Sequence, residues 1–482
     1  MSQAPVLVWF RDDLRLADNP ALSRAAASGA PVVCLYVLET PSRGQRAMGA
    51  AARWWLAGSL RALDAALRAI GNRLVLRSGP AEEIVPEVVD ATGAGTVLWN
   101  RRYDAGGIAI DRELKASLRS GGREVESLPG NLLREPWEVK SAAGDPMKVF
   151  SPFWRAHQRL GDIRPPLRAP GALASLAGDF PGDDVAAWNL EPTRPNWASA
   201  FPDAWTPGEA GAQARLAAFL DEELAGYADN RDRPDRPSTS RLSPHLRFGE
   251  ISPVQIWHQA HLAAGMDHGR DLAKFLAEVG WREFAYHLLF HWPNLAGESF
   301  QPRFEAFPWR SDPSSLRAWQ RGMTGYPLVD AGMRQLWKTG WIHNRVRMVV
   351  ASFLVKHLLL DWREGERWFW DTLVDADVAN NPASWQWVAG SGADAAPYFR
   401  IFNPVLQGEK FDPRGDYVRR WVPELAALPA QVIHAPWKAP AAVLAKAGVR
   451  LGETYPAPIV DHDAARERAL AALSEIRDAT AA

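Results

Sequence analysis

Through the first 130 residues, short apolar runs rich in β-branched side chains alternate with stretches of helical spacing. The runs fall at 6–10, 32–38, 74–77 and 97–99, and the helix-like stretches include 50–69 and 81–91. Strand and helix alternating at this interval predict a parallel sheet with helices on both faces. Ligands of such sheets sit beyond the strand carboxyl ends, which here means the neighbourhood of Arg11 to Arg15 and of Arg101 to Asp104. From 164 to 207 the chain turns rich in Pro, Gly and Ala, a connector composition in which Trp188, Trp197 and Trp205 point to packing. Beyond 207 the strand signals fade. Apolar positions at helical spacing run through 212–224, 254–264, 271–290, 328–339, 342–360 and 364–373, and a short alanine-rich helix is expected at 463–479. The expected organisation is an α/β domain with a parallel, Rossmann-like sheet over 1–130, a connector over 131–206 and an all-α domain over 207–482.

Composition narrows the class of protein without naming a function. The 482 residues carry 55 basic and 56 acidic side chains, and 47% hydrophobic with 23% charged residues is the balance of an ordinary globular chain. Disorder, collagen and coiled coil are excluded. The single cysteine, Cys34, excludes a disulfide framework and a cysteine-based zinc site, and fits a reducing cytoplasm. The N-terminus lacks the pattern of a signal peptide. The longest apolar stretch, 348–360, is broken by Lys356 and His357 and is too short for a bilayer. Two features stand out: 23 tryptophans, and arginine far in excess of lysine. Arginine suits forked phosphate contacts and aromatic stacking. Indole stacks on nucleobases and gives up an electron more readily than other apolar side chains.

The dinucleotide glycine fingerprint is missing after the first strand, and Gly93-Ala94-Gly95 precedes a strand instead of following one. Candidate chemistry lies in the helical half. Thr239-Ser240-Arg241-Leu242-Ser243-Pro244 follows a polar loop and opens a helix, a place where backbone amides and the helix dipole favour an anion, or where the hydroxyls simply cap. Glu278, Trp281, Arg282 and Tyr286 fall at spacings of three and four, near one helix face, with a Glu278–Arg282 surface pair as the plain alternative. His343, Asn344, Arg347 and Met348 repeat that pattern, and a buried Asn344 amide would need partners on both its donor and acceptor sides. Asp375 and Asp377, with Asn380 and Asn381 after them, read as a turn and not as a metal site, since no histidine completes a ligand set. No metal is expected.

Several of these stretches form longer motifs. The opening Trp9-Phe10-Arg11-Asp12-Asp13-Leu14-Arg15, the Thr239–Ser243 run, Trp281-Arg282-Glu283-Phe284, Trp341-Ile342-His343-Asn344-Arg345, Asp361-Trp362-Arg363-Glu364-Gly365-Glu366 and the stretch 381–404 resemble the photolyase/cryptochrome family. The resemblance covers nearly the whole chain in order. It implies an α/β antenna domain, a connector, and a helical domain holding FAD bent into a U. Under it, Tyr227, Thr239, Ser240, Arg241, Leu242 and Ser243 clamp the FAD phosphates and ribityl chain. Glu278, Arg282, Asn344, Arg347, Asp375, Ala376, Asp377 and Asn381 become neighbours of flavin and adenine, with Asn381 facing the reactive ring nitrogen.

The implied activity is light-driven repair of cyclobutane pyrimidine dimers, in which excited reduced FAD passes an electron to a lesion flipped out of UV-damaged DNA. Trp281 and Trp387 would sandwich the dimer, and Glu278 would bond a thymine edge. Asn344 and Met348 would line the pocket, while Arg231, Arg345, Arg400 and Gln407 would contact the strand. Trp385, Trp362 and Trp309 match the tryptophan chain that reduces the flavin. The alternatives are a cryptochrome-type light receptor without repair activity, a (6-4) photoproduct enzyme, and a flavin oxidoreductase without DNA. Gly106-Gly107 stands where folate-binding members carry an Asn-Glu pair. Methenyltetrahydrofolate held in a different way is therefore the expected antenna, ahead of deazaflavin or FMN. A monomer in the cytoplasm is expected.

Overall fold

The computed structural model describes residues 3–178, 180–265, 269–395 and 399–481, so residues 396–398 of the 381–404 motif lie outside the described residues. The chain forms two compact units. One comprises Met1–Ala225, Ser240–Pro293 and Val374–Ala376; the other comprises Gly226–Thr239, Asn294–Leu373 and Asp377–Ala482.

The first unit is built on a parallel sheet of five strands, β1 (Val6–Phe10), β2 (Val32–Glu39), β3 (Leu74–Gly79), β4 (Thr96–Asn100) and β5 (Glu124–Leu128), in the order β3-β2-β1-β4-β5. Trp9 stands opposite Leu35 on one side and Trp99 on the other. Leu7, Trp9, Leu35, Val97 and Trp99 form a core with Ile84, Val85, Val88, Ile110 and Leu114 of the helices Ala81–Thr92 and Ala105–Ser120. The alternate residues Val6, Val8 and Phe10 are buried as well, as the central strand of a sheet covered on both faces requires. Strand β5 is absent from the sequence expectation. Its residues, Glu-Val-Glu-Ser-Leu, alternate exposed and buried, so this edge strand has no continuous apolar run to announce it. The unit also includes the helices Pro20–Ser28, Ala50–Ala69, Phe150–Arg159, Phe201–Ala204, Glu209–Glu222, Ser243–Arg247, Pro253–Ala264 and Gly269–His291.

The second unit is helical. Its principal members are Pro327–Thr339, Asn344–Ser352, Trp362–Thr372, Asn380–Ala389 and Pro404–Phe411, with His462–Ala481 at its end. The single helix expected over 342–360 is interrupted. It begins at Asn344, behind a His343 side chain that accepts the Arg345 amide, and passes into a π-helical turn at Phe353–His357. Among the described residues no helix is long and apolar enough to cross a membrane.

Candidate functional site

The charged groups at the strand carboxyl ends are engaged with one another. Arg11 is buried, 2.7 Å from the Asp111 carboxylate and 2.5 Å from the Asn100 carbonyl. Arg15 donates to the carbonyls of Asp18, Gly130 and Gly249, and Arg102 bridges Asp12 and Glu39. Burial pushes the Asp12 carboxyl up, but the guanidinium groups of Arg102 and Arg247 outweigh it and hold Asp12 well below the usual carboxylate range. Buried ions need partners, and here Arg11, Arg15 and Arg102 find them within the unit itself, on its strands, helices and loops.

Within the same unit, the run before helix Ser243–Arg247 has an unusual backbone. Arg241 adopts a left-handed conformation with φ of 52°, so its side chain leaves the loop in a direction of its own and its guanidinium lies 4.3 Å over the Trp205 ring. The Ser240 carbonyl accepts from Arg215 Nε at 2.9 Å, and Leu242 is buried. The helix opens at Ser243, with Leu242 at the capping position and no side-chain bond from it. Ala376 gives its carbonyl to Arg247 Nε at 2.8 Å, and Asp375 is buried.

Helix Gly269–His291 carries the next group. Trp281 is half-buried and stacked on Phe150, with ring centroids 3.9 Å apart and planes 10° from parallel. The pair weighed between Glu278 and Arg282 does not form. Glu278 pairs with Lys274 at 3.3 Å, whereas Arg282 donates to the Asn131 carbonyl at 2.7 Å and lies 4.8 Å from the Tyr286 ring centroid. Arg282 neighbours Glu283, a buried carboxyl that desolvation raises to about 7 against the pull of the Arg282 charge.

The second unit holds the remaining candidates. Tyr227 is buried, with the Arg231 guanidinium 5.8 Å from its ring, and Thr239 is half-buried. Asn344 is exposed and starts its helix, which corrects the expectation of a buried amide. His343 beside it is buried and held neutral, lowered to about 4 by desolvation. Arg347 donates to the Ile342 carbonyl at 2.8 Å, Arg345 pairs with Asp232 at 2.6 Å, and Met348 and Trp387 are half-buried. Gln407 sits on helix Pro404–Phe411, and Arg400 is exposed with its guanidinium 6.0 Å from the Phe402 ring. One Asp377 oxygen accepts from the amides of Ala379 and Asn380, the turn role read from the sequence.

Asn381 is the most constrained of these groups. Its Nδ2 donates to the Glu366 carbonyl at 3.0 Å and to the Glu366 carboxylate at 2.8 Å. Both amide hydrogens are taken, so what the side chain has left to offer is an acceptor oxygen. Glu366, itself buried, was quoted within the 361–366 motif but given no role by sequence reasoning. Its place in a helix otherwise read as amphipathic was the available signal.

The three chain tryptophans share this unit. Trp362 and Trp385 are fully or nearly fully buried. A Cβ on Gly365 would lie 2.1 Å from Trp385 Cη2, so the glycine exists to admit that indole. Trp385 also meets the rings of Phe369 and Trp319 edge-on, and Trp362 lies three residues before Gly365 on the same helix. The Arg310 amide bonds the Leu359 carbonyl at 2.7 Å, which sets Trp309 alongside the segment leading to Trp362.

Comparison with known proteins follows the same division. The family described as "DNA photolyase" matches residues 6–171, and the one described as "FAD binding domain of DNA photolyase" matches 275–475. The chain is 53% identical over 480 residues to a deoxyribodipyrimidine photo-lyase of Agrobacterium fabrum, covering 100% of each. It is 40% identical to cryptochrome-1 of Arabidopsis thaliana, over 98% of this chain and 70% of that protein. Among solved structures, a bacterial class III photolyase from Agrobacterium tumefaciens superposes with a TM-score of 0.96 at 53% identity, over 99% of this chain and 98% of that one.

Proposed function

The chain belongs to the DNA photolyase/cryptochrome family, and from that membership we propose that it is a deoxyribodipyrimidine photo-lyase, repairing cyclobutane pyrimidine dimers in UV-damaged DNA in the light. Bound in its reduced form, FAD supplies the photoexcited electron that opens the cyclobutane ring. The protein's work is placement. Tyr227 and Thr239–Ser243 hold the phosphates and the ribityl chain. Arg347, Asp375, Ala376 and Asp377 border the rings. Trp281, backed by Phe150, presents one ring face to a base of the flipped dimer, and Trp387 serves the other base. Glu278 bonds a thymine edge, with Asn344 and Met348 lining the pocket. Arg231, Arg282, Arg345, Arg400 and Gln407 steady the strand, and Trp309, Trp362 and Trp385 carry electrons inward.

Asn381 is the observation that carries this reading. With both amide hydrogens held by Glu366, it presents an acceptor, and an acceptor suits a ring nitrogen that bears a proton, the state of the reduced flavin. A carboxylate there would bring a charge; a neutral amide does not. An antenna of methenyltetrahydrofolate fits with the packing at Gly106 and Gly107. Added Cβ atoms there would lie 2.8 Å from Gln45 Cγ and from Arg102 Cβ, so this segment does not have the space for the Asn-Glu side chains by which folate is otherwise held. A monomer in the cytoplasm completes the proposal. The test is to incubate reduced protein with dimer-containing oligonucleotide and count restored thymines with and without blue light. Repair in the light alone is expected; tight binding without repair would make the chain a receptor.

A further inference from the structure

A cleft of about 450 Å³ in the first unit lies beside the FAD-clamping run and takes in the Arg241 side chain. It lies within the roughly 300–1,000 Å³ of small-ligand pockets. One wall is the helix Glu209–Glu222, where Ala210, Ala214 and Ala218 recur at intervals of four and so line a single face with methyl groups only. The same helix contributes Arg215, and Trp205, Arg241 and His245 complete this part of the lining. The guanidinium of Arg241 over the Trp205 indole makes a flat, cationic platform, the kind of surface on which a heteroaromatic ring stacks. Trp205 also meets Trp55 at a steep angle, with 5.3 Å between ring centroids, which braces the platform.

Charge favours an anion. Burial and the neighbouring Arg215 together pull Arg241 down to about 10, and Glu223 opposes them. The two guanidinium groups lie together on the lining, while Glu223 and its neighbour Glu222 are not part of it. His245 is braced by Glu250, its Nδ1 2.5 Å from that carboxylate, so the ring is held in place. The left-handed backbone at Arg241 sends its side chain here, away from the course of its neighbours. Strain of that kind persists only where surrounding contacts determine it.

We propose that this cleft binds a small organic anion with a flat ring system, a mononucleotide, whose ring stacks on the Trp205–Arg241 platform against the alanine wall and whose phosphate is held by Arg215 and Arg241. Because Arg215 also grips the Ser240 carbonyl, occupancy would bear on the loop from behind. The assignment is independent of whether the chain repairs DNA. It is tested by calorimetric titration of the FAD-saturated protein with AMP, adenosine and inorganic phosphate in parallel. AMP should bind one molecule per chain, with adenosine and phosphate each weaker by about tenfold or more, the usual effect of losing one charged contact. Ala218→Phe, which fills the cleft, should weaken AMP by at least that factor while flavin absorbance stays unchanged, and Arg215→Gln should weaken AMP by at least that factor as well. No saturation with AMP, equal binding of phosphate or adenosine alone, or AMP binding indifferent to Ala218→Phe would overturn the proposal.

Discussion

Glu366 holds both amide hydrogens of Asn381, so the side chain can only accept from what it faces. Asn381→Asp removes those donors and sets two carboxyl groups against each other. The reduced flavin should then form less readily, by about tenfold in its apparent equilibrium, the order of one charged hydrogen bond. Anaerobic illumination followed by flavin absorbance measures this, and photoreduction equal to that of the parent would contradict the assignment. Trp281 has one face against Phe150. Removing it in Trp281→Ala should weaken binding of a dimer-containing oligonucleotide roughly tenfold to a hundredfold, since base stacking on an aromatic contributes about 1–3 kcal/mol, with FAD content unchanged. Loss of FAD would place Trp281 in cofactor binding instead. At this level the sequence named the chemical types well and their partners poorly. Asn381 and Trp281 were legible from motifs, but Glu366, Phe150 and Asp232 were not. Their roles come from approaches across 15, 131 and 113 residues of chain, which no local spacing encodes.

Helix Trp362–Thr372 meets helix Asn380–Ala389 through Gly365, whose missing side chain makes room for Trp385. Gly365→Ala would press a methyl group into that ring and onto Leu354, and overpacking of this kind costs about 1–3 kcal/mol. A lower thermal midpoint and slower photoreduction should appear together. A midpoint equal to the parent's would mean the helices part without penalty. Trp385→Phe should slow photoreduction yet spare repair by chemically reduced protein, because the ring is kept and only the easily oxidised indole is lost; equal loss of both would reject its relay role. Periodicity located Pro327–Thr339, Trp362–Thr372 and His462–Ala481 within a few residues and passed over Asn380–Ala389 and Pro404–Phe411. It ran 342–360 together as one helix because apolar spacing persists through the π turn at Phe353–His357, where only the hydrogen-bond register changes. It missed β5 because an edge strand wets one face.

Protonation acts on the molecule as a sum. Burial keeps His157, His287 and His343 neutral down to about 4, and His357 to about 3. Unfolded imidazoles take their proton near 6.5, so in between protons favour the unfolded chain and stability falls as pH drops. Glu283 and Asp412 act in the opposite sense, raised by burial to about 7 and about 6, so each adds stability on acidification through that region. Among these six groups the imidazoles outweigh the carboxyls; His291, His434 and His462 are lowered in the same sense, while Asp13, Glu135, Glu209, Glu223 and Asp330 are raised against them. With the imidazoles dominant, the thermal midpoint should be lower at about pH 5 than at about pH 7.5. A midpoint that rises on acidification would show the balance reversed. The linear order of residues was enough for the α/β beginning, the helical remainder and the family, because periodicity and motifs are local properties of the chain. Folding alone settled which polar groups are left facing outward for a ligand. Arg11 and Arg102 looked available and are internally paired, Asn344 looked buried and is exposed, and Arg241 turned out to front a cleft. Burial and pairing depend on neighbours distant in the chain, and the desolvation of an ion is decided by all of them at once.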